Sequence, residues 1–358
     1  MFADDSPHSY GVSHTTSTAL KWPFVSSDYN IGIDTMALSL PKIGILSIGD
    51  MGMGIAKLLV SKGFSVATNG QGRSQATLTR ARDADVEVLN SDVHLVESRP
   101  FILSVAPPRD ALGIAQRIID ATRAASLDKP LYFTDLNAVS PATCKRMAGM
   151  FDDAGSPVRF VDGCIIGGPP KLKASAGGAP GSWYVPSMPA SGRYPLAEAC
   201  AELAETLNMR HISPEVGAAS GLKMCFATAT KGFMGLGIQA FATASALGVV
   251  GELRREMREA APGLLDFAEA SIPLVPPKSY RWVREMEEIS DTHRDEGGFD
   301  TGADVFRAMA ELYRIMAEDP VLGAEKVGDR RTGETVDDLA AALAEGLAGR
   351  KKKSPPAA

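Results

Sequence analysis

The sequence predicts a parallel β-sheet covered by helices on both faces over residues 39–215, followed by an all-helical domain over residues 216–349. Three observations predict it. Between Lys42 and about Val161, short β-rich runs alternate with helical patterns, and such alternation builds a parallel sheet with crossover helices. Between Gly217 and Val250 the only charges are Lys223 and Lys231, the pattern of a long helix buried in a bundle or a dimer interface. A charged helical run, Glu252 to Glu259, follows at once, where the chain returns to water.

The two ends stand apart from this pattern. Residues 1–38 are rich in Ser and Thr and show neither periodicity, so they read as a disordered extension without a secretory or transit signature. Residues 350–358 read as a solvated basic tail. The 19 uncharged residues from Gly232 to Val250 reach the length of a membrane span, but Gly, Ala, Ser and Thr make them only modestly apolar, which favours burial in protein. A net charge of −6 with no basic stripe argues against nucleic acid as a partner. Cys144, Cys164, Cys200 and Cys225 form no CxxC pair and the five histidines no cluster, so no metal is expected and a reducing, cytoplasmic compartment is.

The elements follow in order. Strands are expected at Ile43–Ser47, Phe64–Thr68, Phe101–Val105, Leu131–Asp135 and Val158–Val161, with helices at Met51–Ser61, Ser74–Asp83 and Asp110–Ala124 among them. The first strand runs into Ser47-Ile48-Gly49-Asp50-Met51-Gly52, in the place of a GxGxxG turn with Ser47 where the first glycine normally stands. Gly49 lets the backbone approach a pyrophosphate, Gly52 lets the helix pack close to the strand, and the N–H groups opening the helix favour the phosphates. The first half is therefore expected to be an α/β Rossmann domain that binds a dinucleotide. A tight strand–helix turn without a ligand is the bland alternative.

The end of the second strand bears on which dinucleotide. It reads Thr68-Asn69-Gly70-Gln71-Gly72-Arg73-Ser74, without the acid that would take a ribose 2′-hydroxyl. Arg73 is suited to a 2′-phosphate, helped by Ser74 at the next helix N-terminus, so NADP (NADPH) is the expected cofactor. Plain readings are a solvated arginine and an ordinary N-cap.

With these residues in place, the chain resembles the 6-phosphogluconate and β-hydroxyacid dehydrogenase superfamily over roughly residues 42–250. KIGILSIGDMGMGIA is similar to the family's glycine turn, and Val105-Ala106-Pro107 ends a strand where the family's chain passes the cofactor. Asp162-Gly163-Cys164-Ile165-Ile166-Gly167-Gly168 is similar to its substrate loop, and Gly217-Ala218-Ala219-Ser220-Gly221-Leu222-Lys223 to the segment leading to its catalytic lysine. The C-terminal part resembles a branch with a helical, phosphogluconate-dehydrogenase-like domain. The resemblance implies an NADP-dependent oxidoreductase, with a homodimer as its assembly. Ile166 stands where the family has a carboxylate-binding serine, and Phe226 and Ala227 where it has Asn-Asn. Imine reduction and a non-catalytic NADPH-binding protein are accordingly the rival readings, and oxidative decarboxylation a variant within the first.

The site expected from these readings has Lys223 as general acid/base, since an apolar pocket favours the neutral amine, with Asn137 supplying a side-chain amide. A lysine snorkelling from a helix end is the alternative for Lys223. The backbone N–H groups of Gly167 and Gly168 would hold a substrate anion. Lys231, about 80° round the helix from Lys223 and about 12 Å along it, is a further candidate for the anion. Thr230 lies nearer the face of Lys223. In RWVREMEEI, Arg281 with Glu285 and Trp282 with Met286 have i,i+4 spacing, so intrahelical pairing accounts for the segment without function.

Overall fold

The computed structural model describes residues 40–173, 181–300, 302–326 and 330–353, and of residues 350–353 the backbone alone. The expected N-terminal extension and the last five residues of the expected tail lie outside the described residues. From Leu40 onward the described residues form one compact unit.

The sheet half is built from β1 (Ile43–Leu46), α1 (Asp50–Ser61), β2 (Val66–Asn69), α2 (Gln75–Asp83), β3 (Glu87–Leu89), α3 (Asp92–Ser98), β4 (Phe101–Ser104), α4 (Ala111–Ala124), β5 (Leu131–Asp135), α5 (Pro141–Asp153) and β6 (Val158–Gly163). These six strands are parallel and lie in the order β3-β2-β1-β4-β5-β6. That is the doubly wound arrangement, in which the chain reverses direction across the sheet beside β1 and leaves a crevice between the carboxyl ends of β1 and β4. Ile43, Ile45 and Leu103 pack under one face, and Leu46, Ile102 and Phe133 under the other. A strand covered on both faces reads as a continuous apolar run, which is why these were visible in the sequence.

The sheet is not purely parallel, however. After a two-stranded ribbon of β7 (Lys171–Leu172) and β8 (Trp183–Tyr184), β9 (Met188–Ser191) joins β6 antiparallel. Following α6 (Leu196–Ala199) and α7 (Ala201–Thr206), β10 (Met209–Ser213) closes the edge of an eight-stranded sheet.

The helical half comprises α8 (Ala218–Ala227), α9 (Phe233–Leu247), α10 (Val250–Ala260), α11 (Pro262–Ser271), α12 (Ser279–Asp295), α13 (Val305–Glu318) and α14 (Val336–Lys353). Its core gathers Met224, Ile238, Phe241, Met286, Ile289 and Tyr313. The expected basic tail is corrected in part: α14 continues through Lys353, because Lys and Arg are good helix formers and favour a helix C-terminus. Among the described residues no helix is long and apolar enough to cross a membrane. All four cysteines are free thiols.

Between α8 and α9 the chain makes a π-helical turn, Thr228–Gly232, so the two form one rod with a wide turn in it. The turn has a geometric consequence for the lysines. An i→i+5 turn holds one extra residue, so Lys231 stands as if about seven residues from Lys223, not eight. Seven residues rotate by about 700°, leaving the two within about 20° of one face where a regular helix would part them by about 80°.

Candidate active site

The glycine turn leaves β1 at the crevice. Ser47 takes a positive φ of 79°, the conformation that makes glycine usual at this place, and here a serine bears it. A Cβ on Gly52 would collide with the Ser47 carbonyl oxygen, so only glycine lets α1 start this close to β1. A Cβ on Gly49 would meet nothing: the space above it is open. Gly49 is the N-cap of α1 and no side chain caps the helix, so the N–H groups at Asp50, Met51 and Gly52 lack a side-chain acceptor there. An open, uncapped helix start at the switch point fits a pyrophosphate.

Ser74 caps α2, accepting from Thr77 N at 3.3 Å, as the plain reading held, while Arg73 flanks it half-buried. Asn69, at the end of β2, is buried and donates to Asp92 Oδ1 at 2.7 Å, and Asp92 is in turn paired with Arg117. Arg80, not singled out from the sequence, reaches from α2 to the Ile48 carbonyl at 2.8 Å and ties the two loops together.

After β4, the Val105 N–H donates to Leu46 O at 3.1 Å, and Ala106 N–H to Asn137 Oδ1 at 2.5 Å, just ahead of Pro107. Asn137 Nδ2 donates to Ser104 Oγ at 3.1 Å and to Asp135 Oδ1 at 2.5 Å. Its amide is thus occupied on both sides by the strand ends, and it shapes the Val105–Pro107 loop where the sequence suggested a group presented to substrate. Asp135 is fully buried; burial first and the Asp162 charge second push its carboxyl up to about 8.

Asp162, at the end of β6, anchors the lysine helix. Its Oδ2 accepts from Gly217 N and Ser191 Oγ, both at 2.8 Å, and its Oδ1 from Ser220 Oγ at 2.5 Å and Cys144 Sγ at 3.2 Å. Gly217, the N-cap of α8, has a φ of 102°, and a side chain there would press on Pro141. The carboxylate sits on the N-terminus of α8, where the helix dipole favours it. Six residues into α8, Lys223 Nζ donates to the Ile165 carbonyl at 2.6 Å, so the same loop holds both ends of the arrangement. That loop continues through exposed Gly167 and Gly168 to Pro169 and Pro170, which press against Gly54 of α1. Glycine turn, Ile165–Pro170 loop and Lys223 therefore meet at the carboxyl edge of the sheet.

Lys231 is not free to bind an anion alone. Its ammonium pairs with Glu285 of α12 and lies 4.8 Å from the centre of the Trp282 ring, with its side chain 16% exposed. Tyr313 donates its hydroxyl to the Lys231 carbonyl at 2.7 Å, using a carbonyl within the π-turn. Burial brings Lys231 down to about 8, against the pull of Glu285 and with the help of Lys223 and Arg281. Burial also pushes Glu285 up, but Lys231 and Lys223 outweigh it and hold the carboxyl below its ordinary range. The expected Arg281–Glu285 pair is accordingly not made. Thr230 spends its hydroxyl on the Phe226 carbonyl.

Comparison with known proteins adds the fold's context. A 3-hydroxyisobutyrate dehydrogenase from Mycobacterium tuberculosis superposes with a TM-score of 0.59 at 16% identity, covering 88% of this chain and 100% of that one. The chain shares the fold of that dehydrogenase. A conserved hypothetical protein from Sinorhizobium meliloti superposes at 23% identity with a TM-score of 0.58, covering 86% of this chain and 97% of that one. An uncharacterized 28.5 kDa protein of Methanothermus fervidus is 26% identical over 218 residues, 61% of this chain and 76% of that protein. Residues 244–316 match a domain of unknown function, DUF1932, which spans the end of α9 to α13 and includes Arg281, Trp282 and Glu285.

Proposed function

We propose that this protein is an NADP-dependent oxidoreductase that moves a hydride reversibly between the nicotinamide and a small hydroxy acid, alcohol or carbonyl compound. The observation that carries the reading is the meeting of Lys223 with the substrate loop beside an uncapped glycine turn: Lys223 Nζ sits 2.6 Å from the Ile165 carbonyl. Bound NADP would supply or accept the hydride. Ser47, Gly49, Asp50, Met51 and Gly52 would hold its pyrophosphate, Val105, Ala106 and Pro107 would flank it, and Arg73 with Ser74 would take the 2′-phosphate, a choice supported by Asn69 standing where an acid would be needed for NAD.

Lys223 exchanges the proton at the substrate oxygen, leaving the Ile165 carbonyl to do so. Gly167 and Gly168 offer backbone N–H groups, and Asn137 positions the Ala106 loop. Lys231 adds positive charge behind the pocket. The protein is further proposed to work as a homodimer in a reducing, cytoplasmic compartment, in keeping with its free thiols and the exposed apolar residues along α8 and α9.

Thermal unfolding with NADPH, with NADH and with neither tests the cofactor. Ligand at a hundred times its Kd adds about 2.7 kcal/mol, a shift of several degrees. NADPH should shift the midpoint and NADH little, and Arg73→Ala should erase the difference. With a substrate in hand from a carbonyl and imine screen, Lys223→Ala should lose about 10²–10⁴ in kcat with cofactor binding kept. Unchanged turnover would remove the lysine from the chemistry.

A further inference from the structure

The loop that would meet a substrate carboxylate carries Ile166 in place of a polar side chain, so any counter-charge must come from the helical half. Three cations gather there. Lys231 stands over Trp282 and pairs with Glu285, and Lys223 lies on nearly the same face of the rod two turns earlier. Arg281 precedes Glu285 by one turn of α12 and lies within electrostatic reach of both Lys231 and Glu285. Glu285 is the one acid among these four groups, so the cluster carries a surplus of two positive charges.

Lys231 and Lys223 both have partners. Arg281 has none: its guanidinium is exposed and makes no hydrogen bond or ion pair among the described residues, although a carboxylate stands one helical turn away. Crowding an unpaired guanidinium toward the Lys231 ammonium is unfavourable in the empty cluster and is relieved by an anion. The row continues to Lys278, within reach of Arg281 on one side and of Asp50 in the glycine turn on the other. The positive field therefore runs from the lysine pocket toward the proposed cofactor cradle, where an anionic substrate would lie.

We infer that Arg281 is the anchor for an oxyanion on the substrate, a carboxylate or a phosphate, with Lys231 held by Glu285 as the fixed charge behind it. The inference rests on the proposed oxidoreductase reading for the word substrate, but the anion site itself does not. A guanidinium presents parallel N–H donors that match either oxyanion with two hydrogen bonds, which neither lysine can do. The substrate class is thus a small alcohol or carbonyl compound bearing an acidic group, its charged contact coming from α12 and only backbone N–H groups from the loop.

The test is calorimetric titration of the full chain with malonate and, separately, with inorganic phosphate at low ionic strength and pH 7. Each titration is run with saturating NADPH, which covers the phosphate cradle, and without it. Wild type should bind at least one probe saturably. Arg281→Ala should weaken that binding tenfold or more, Arg281→Lys should restore part of it, and Arg123→Ala, a charge-matched control on α4, should leave it unchanged. Tighter malonate binding identifies a carboxylate substrate, and tighter phosphate binding a phosphorylated one. Equal affinity in wild type and Arg281→Ala, or no saturable binding of either probe by wild type, overturns the inference. Absent NADPH binding with Arg281-dependent anion binding would instead sink the oxidoreductase reading and leave the anchor standing.

Discussion

Glu288 of α12 accepts the backbone N–H of Ser140 at 2.8 Å, capping α5 of the sheet half from the helical half. The same oxygen takes the Thr143 hydroxyl at 3.0 Å, and the other takes Arg284 at 2.6 Å. A carboxylate only 1% exposed is tolerated because a helix N-terminus, a hydroxyl and a guanidinium all point at it.

Removing that carboxylate should leave the Ser140 N–H without its acceptor and Arg284 with Glu287 alone. Glu288→Ala is expected to cost about 3–5 kcal/mol in urea unfolding, and Glu288→Gln about 1–3 kcal/mol. A loss below about 0.5 kcal/mol for the alanine variant would show that the two halves are held elsewhere.

Ser47 bears a backbone conformation that glycine adopts without penalty. Ser47→Gly should stabilise the protein by about 1 kcal/mol and raise Tm by about 2–4 °C, with NADPH affinity kept. Ser47→Val should do the reverse and weaken cofactor binding. Scanning calorimetry of the two variants with and without NADPH reads both effects.

Asp135 couples the fold to pH. Its folded pKa of about 8 lies above the ordinary 3.8, so the fold prefers the protonated acid and unfolding releases a proton between those values. The stability this group contributes is complete below about pH 4 and declines as pH rises to about 8, by up to about 1.4 kcal/mol per unit. Asp135→Asn mimics the neutral acid, so its stability should fall less steeply than wild type over that window. Parallel slopes in denaturant titrations from pH 5 to 8 would rule this out.

Leu236 is 59% exposed and Leu247 70%, with Leu222 and Phe226 also open to solvent on the same rod. An exposed apolar face of this kind is where the proposed dimer would form. Light scattering at micromolar concentration should give a dimer, and Leu236→Glu combined with Leu247→Glu should give a monomer that still binds NADPH. A monomeric wild type would refute the dimer.

The readable parts of this molecule were those whose physics is local. β1, β4, β5 and β6 are doubly covered, so Ile43, Ile45 and Phe133 announced them. The glycine turn announced itself because Gly49 and Gly52 answer to constraints within six residues. β3 escaped because two of its three residues face solvent, and β9 because it is short and carries Pro189. The site divides the same way. Lys223 stood out on an uncharged helix, but Glu285 was assigned to its neighbour Arg281 because its true partner, Lys231, is 54 residues away. Nothing in the spacing of α12 shows which way that carboxylate turns. Asp162 is marked by its motif, yet its four side-chain and backbone partners come from three separate segments.

α8 and α9 behave as one shaft with a phase slip in it. Rewinding Thr228–Gly232 as regular α-helix with no residue removed would turn everything beyond it by about 100°. Ile238 and Phe241 would leave the core, the solvent-facing leucines would turn with them, and Lys231 would leave the sector it shares with Lys223. Pocket and outer face are thus indexed to one another by one residue: removing it from this turn would keep both in phase, whereas rewinding around it would disturb the proposed chemistry and the proposed assembly together.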